Sequence, residues 1–182
     1  MRDMMFHRKR HISRRGFTLT EVMIAVFIFT ILAAACYGLM AAGSSSWQVN
    51  RVKSELYQEM RKAQDWMIAD LRQAGSTSVT DVTANGTWFT ACTFRTSAGV
   101  SGGTIAWSGN TIQFSKGGTN SSQLLRTTGG VTRVLANNVQ TLQFRRLSAT
   151  PRMMEVSLQT QKNVPGAPAV TANLNFKVQL RN

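Results

Sequence analysis

The chain has 182 residues, 21 of them lysine or arginine against 8 acidic, for a formal net charge of +13. That length allows one modest domain, and a 43% hydrophobic content allows it a core. Only two histidines (His7, His11) and two cysteines (Cys36, Cys92) occur. This leaves no disulfide framework and, with both histidines within the first eleven residues, none beyond them for a histidine-dependent triad or histidine-ligated metal. No carboxylate couple, glycine-rich phosphate loop or Gly-x-Ser-x-Gly elbow is present, so the sequence points to no enzyme, metal or cofactor.

Residues 1–16 hold six basic side chains (Arg2, Arg8, Lys9, Arg10, Arg14, Arg15) against Asp3. Val22 to Ala42 then runs for 21 residues without a charge. At ~1.5 Å per residue such a helix crosses the ~30 Å core of a bilayer. The basic cluster before it predicts a cytoplasmic N-terminus, with everything beyond Ala42 on the far side of the membrane. The other fifteen basic and seven acidic side chains form no run. Solubility accounts for them, with contact to an anionic polymer such as DNA as the sharper alternative.

From Trp47 to Ala74 a helical period returns, with Val49, Val52, Leu56, Met60, Ala63, Met67, Leu71 and Ala74 on one stripe and charges between them. Glu55, Glu59, Asp65 and Asp70 are expected on its polar face, and Gly75 as its C-cap. The whole stretch from Phe17 to Ala74 is compatible with one long helix, its first half apolar all round.

Beyond Gly75, β-branched and aromatic clusters predict strands at 78–82, 87–94, 103–107, 111–115, 123–127, 139–147, 153–161 and 172–180. Turn signals lie at Ser108-Gly109-Asn110, Lys116-Gly117-Gly118, Gly129-Gly130, Asn137-Asn138 and 163–168. With no second helix pattern, antiparallel hairpins follow. The expected fold is α+β: a long N-terminal helix, membrane-spanning over its first half, packed on antiparallel sheet. Val52, Leu56, Met60, Met67 and Leu71 should be buried against Phe144, Val156, Phe176 and Val178. The expected organisation is a leader at 1–16, an assembly helix at 17–42, and a globular domain at 43–182 that includes the amphipathic helix 47–74.

Residues 14–21 read Arg-Arg-Gly-Phe-Thr-Leu-Thr-Glu. A glycine opens an apolar helix whose fifth residue is a carboxylate. This resembles the signal sequence of type IV prepilins and type II secretion pseudopilins. The resemblance implies cleavage between Gly16 and Phe17 by a prepilin peptidase, N-methylation of Phe17, and an assembly role for Glu21. The chemistry agrees with it. Glycine gives a protease the least bulk, and a carboxylate in an apolar helix needs a partner, for which a neighbour's Phe17 amine is suited. An ordinary secretory signal and a plain signal anchor are the alternatives. The apolar stretch exceeds the ~7–15 residues of a secretory signal, and Glu21 spoils its start.

Weaker patterns cover the rest of the chain. They are a helix ending Asp70-Leu71-Arg72-Gln73-Ala74, a strand with Leu124-Leu125-Arg126, and a strand with Val139, Leu142 and Phe144. These resemble the J-type minor pseudopilins and W-type minor pilins. With Cys92 the only cysteine beyond the helix, the disulfide loop of many major pilins cannot form. Glu155, the only acid after Asp81, cannot build the calcium loop of major pseudopilins. Glu21 and the lack of a large insert separate the chain from the K-type tip subunit. The implied function is a minor subunit of a secretion pseudopilus or type IV pilus, in a tip or initiation complex. Implied partners are the prepilin peptidase, other minor and major subunits, and the bacterial inner membrane, with the domain periplasmic and, after assembly, in a periplasmic pseudopilus or surface pilus. The alternative is a ligand-binding tip subunit, capturing DNA through Arg126, Arg133, Arg145, Arg146 and Arg152. Trp88-Phe89 and Trp107 are candidate partner-binding edges, and Gly38 is a candidate weak point of the helix.

Overall fold

The computed structural model describes Gly16 to Arg181; the leader up to Arg15 lies outside the described residues. Helix α1 spans Leu19–Gln73. Seven strands follow: β1 (Ala91–Ser101), β2 (Thr104–Gly117), β3 (Gln123–Thr128), β4 (Val131–Ala136), β5 (Val139–Leu147), β6 (Thr150–Val164) and β7 (Ala167–Gln179). They form two antiparallel sheets, β1-β2-β3-β4 and β5-β6-β7. The chain divides into two compact units, one ending at Ser44 and the other starting at Ser45. The fold is the α+β arrangement read from the sequence.

In the second unit α1 buries Leu56, Met60, Ala63, Met67 and Leu71, a stripe at spacings of three and four. Opposite lie Phe94, Phe114 and Leu124 of the first sheet and Leu142, Phe144, Met154, Val156 and Leu158 of the second. Each such side chain contributes about 1.5–3 kcal/mol on leaving water. Polar contacts set how the helix sits. Asp70 pairs with Arg126 of β3, the Asn137 amide donates to Glu59, and the Thr160 hydroxyl lies 3.0 Å from Met60 Sδ. Val52 and Phe176, expected in the core, are only half-buried at its margin.

Other expectations failed for identifiable reasons. Ser108-Gly109-Asn110 is not a turn, because β2 runs straight through it. The hairpin reverses instead at Gly102-Gly103 (φ 59° and 77°), the positive pair a two-residue turn requires. Residues 78–82 form no strand. The carbonyls of Ser76 and Val82 accept from the Arg146 guanidinium instead of a ladder, at 3.0 and 3.2 Å. β4 was missed because its first four residues are all exposed and show no buried alternation. A bulge between Val139 and Thr141 turns Val139 to the core side with Leu142, against strict alternation. Gly75 is no left-handed C-cap. It lies in the bridge that pairs it with Arg181, and a Cβ there would enter the Trp107 ring.

Candidate functional site

Gly16, Phe17 and Thr18 lead into α1 without helical structure. Thr18 is the cap. Its hydroxyl accepts from the Glu21 amide at 3.3 Å, while Glu21 Oε2 accepts from the Thr18 amide at 2.9 Å and the Thr18 hydroxyl at 3.0 Å. Thr18-Leu19-Thr20-Glu21 is thus a reciprocal capping box that satisfies donors left over at a helix start. Sequence reasoning singled out Glu21 but missed Thr18, although a threonine three residues before a glutamate, ahead of an apolar run, is the signal for it. Glu21 Oε1 makes no hydrogen bond or ion pair among the described residues. One carboxylate oxygen is therefore held by the helix end and the other is open.

Every side chain from Phe17 to Gln48 is exposed. Phe17 is 86% exposed, Phe27 67% and Phe29 70%, with large apolar residues on all sides of the helix. Such a surface demands lipid or other apolar helices. α1 is the one helix among the described residues long and apolar enough to cross a membrane. Its hydroxyls suit that setting, since Thr30 donates to the Phe27 carbonyl at 2.7 Å and Ser44 to the Ala41 carbonyl at 2.9 Å. Neither Gly16 nor Gly38 has an atom within 4 Å of where a Cβ would stand, and neither has a positive φ. Among the described residues nothing requires glycine at either position.

The five arginines considered for DNA do not form a free patch. Arg126 is bidentate to Asp70, at 2.6 and 3.3 Å, and lies over the Trp66 ring. This also corrects the placement of Asp70, which is buried rather than on a solvated face. Arg145 pairs with Glu155 at 2.9 Å and stacks on Trp88, 4.4 Å from the ring centre. Arg146, on the opposite face of β5, is buried and donates to the Pro151, Val82 and Ser76 carbonyls. Only Arg133 and Arg152 are exposed. Of the tryptophan edges, Trp88 is 38% exposed. Trp107 is half-buried against Gly75, and Phe89 is held by a two-way backbone bridge to Phe144. Both cysteines are free, and burial pushes the Cys92 thiol up to about 12, which leaves it inert.

Residues 12–37 match the family model of the prokaryotic N-terminal methylation motif. No solved structure matches the chain. A methylation motif opens a fully exposed apolar helix long enough to cross a membrane, and its amphipathic continuation packs on antiparallel sheet, a combination that supports a prepilin-type subunit. This motif is the one that opens type IV pilin-like and pseudopilin-like subunits, and it supports that family for the chain.

Proposed function

We propose that the chain is a minor subunit of a type II secretion pseudopilus or type IV pilus, acting structurally within a tip or initiation complex. In this reading the precursor sits in the bacterial inner membrane with its N-terminus cytoplasmic and residues 43–182 periplasmic. The prepilin peptidase cuts between Gly16 and Phe17 and methylates Phe17, and the subunit then joins other minor and major subunits. The observation that carries the assembly step is the half-satisfied carboxylate of Glu21: Oε2 is engaged by Thr18, and Oε1 is open in an otherwise apolar surface. A neighbour's Phe17 amine suits that oxygen in charge. The pair would fix axial register where apolar helices alone slide.

The DNA-capturing alternative is the weaker one, since Arg126, Arg145 and Arg146 are already engaged. Expression of the processed chain with and without its sibling subunits tests the minor-subunit role. The expected result is low-copy incorporation that depends on siblings. A stable fibre formed by this chain alone would make it a major subunit.

A further inference from the structure

We propose that the groove between α1 and the open edge of β7 receives an extended acidic segment of a different subunit, which adds to β7 as a strand. The groove measures about 630 Å³ and is lined by Ile68 and Arg72 of α1, Met153 of β6, and the stretch from Lys177 of β7 to Arg181 just beyond it. Two of the lining side chains, Arg72 and Arg181, carry uncompensated positive charge, Lys177 is paired with Glu155 at 2.7 Å, and no acid lines the groove itself.

The backbone defines the docking edge. The Leu180 amide donates to the Arg152 carbonyl on the β6 side, and the Arg181 amide to the Ala74 carbonyl on the other. Antiparallel alternation then turns the backbone groups of Val178 toward β6 and those of Lys177 and Gln179 outward. No strand lies on that side of β7 among the described residues, where only the bridge from Gly75 to Arg181 covers its end. An incoming strand finds amide and carbonyl partners at Lys177 and Gln179, and an apolar wall at Ile68.

Charge names the occupant. Arg72 and Arg181 are exposed and make no side-chain ion pair or hydrogen bond among the described residues. Residues 45–182 hold fifteen basic and six acidic side chains. Three of the six acids, Glu55, Asp70 and Glu155, are already paired within the domain. Two copies repel, so the complementary segment belongs to a more acidic chain. That this chain is a sibling in the fibre rests on the function proposed above; the chemistry of the groove does not.

The test uses the full processed chain in detergent micelles and a fluorescent seven-residue peptide of alternating glutamate and valine. The expected result is saturable binding at low salt that weakens as salt rises, with slowed hydrogen exchange at the Lys177 and Gln179 amides. Arg72→Glu with Arg181→Glu should weaken binding by about tenfold or more. Arg133→Glu, outside the groove, should leave it unchanged, and near-ultraviolet circular dichroism checks that each variant is folded. Absence of binding at low salt overturns the proposal. So does equal binding by the double variant or by a lysine–valine peptide, or protection of the same amides by single-stranded DNA instead. Failed peptide binding in a correctly cleaved chain rejects the groove and leaves the subunit reading standing; binding in a chain that is never cleaved does the reverse.

Discussion

Thr18 and Glu21 bind each other in both directions at the start of α1, with the two Thr18 donors converging on one carboxylate oxygen at 2.9 and 3.0 Å. A glutamate read from sequence as an intersubunit charge is therefore also the closing residue of its own helix. These roles separate by mutation. Glu21→Ala should permit insertion and cleavage but abolish entry into fibres. Glu21→Gln keeps an acceptor for Thr18 and loses the charge, so an intersubunit ion pair requires it to fail as well. Thr18→Ala removes the cap, worth about 1 kcal/mol of helix start, and should be milder. The measurement is the share of subunit in the sheared fibre fraction; full incorporation of Glu21→Gln would reduce Glu21 to a cap.

The bidentate pair of Asp70 and Arg126 fastens α1 to β3 with both side chains nearly buried. Arg126→Met strands a carboxylate and should cost about 3 kcal/mol in urea unfolding followed by tryptophan fluorescence. Asp70→Leu combined with Arg126→Met should cost clearly less than the two single changes summed. Additive losses would show that the pair is not coupled.

Gly75→Ala drives a methyl into the Trp107 ring and should lower stability by about 1–3 kcal/mol. If contact with that ring is the cause, adding Trp107→Leu restores much of the loss, read as the thermal midpoint. A Gly75→Ala chain as stable as the parent would show that the Trp107 ring does not demand glycine at this position.

Lys177 first and Arg145 second hold the Glu155 carboxyl below its ordinary 4.5 by hydrogen bonding to the ionised form. For a lowered carboxylate the stabilisation is complete above the unfolded value and is lost as pH falls through the folded one. Stability should therefore decline on acidification below about pH 4.5. Glu155→Gln should flatten that limb more than Glu55→Gln, whose carboxyl is lowered mainly by Lys162 at an exposed site. Equal acid limbs in parent and Glu155→Gln would contradict this.

The helix and its buried stripe were legible because burial at Leu56, Met60, Ala63, Met67 and Leu71 follows one period. Strands β3 and β5 were also legible, β3 from its β-branched and leucine run between turn signals and β5 from its buried alternation. Features set by distant atoms were not. Gly75 is small because of Trp107, 32 positions on, and the Val82 carbonyl is taken by Arg146, 64 positions on. Asp70 reads as one more surface acid until Arg126, 56 positions on, is placed beside it. Around the candidate site the reverse held. Gly16, Phe17 and Glu21 lie within six consecutive positions, so their pattern survives in one dimension, and only the reciprocal bond to Thr18 needed coordinates.

Whether the chain is a processed prepilin is decided by its intact mass after extraction from membranes of cells with an active prepilin peptidase. A single species should appear, beginning at Phe17 and carrying one added methyl group. Gly16→Ala should be partly cut and Gly16→Val not cut at all, because among the described residues nothing constrains Gly16, which leaves the peptidase to set the restriction. A mature protein that starts at any other residue, or that retains residues 1–16 in the presence of the peptidase, would contradict the prepilin reading.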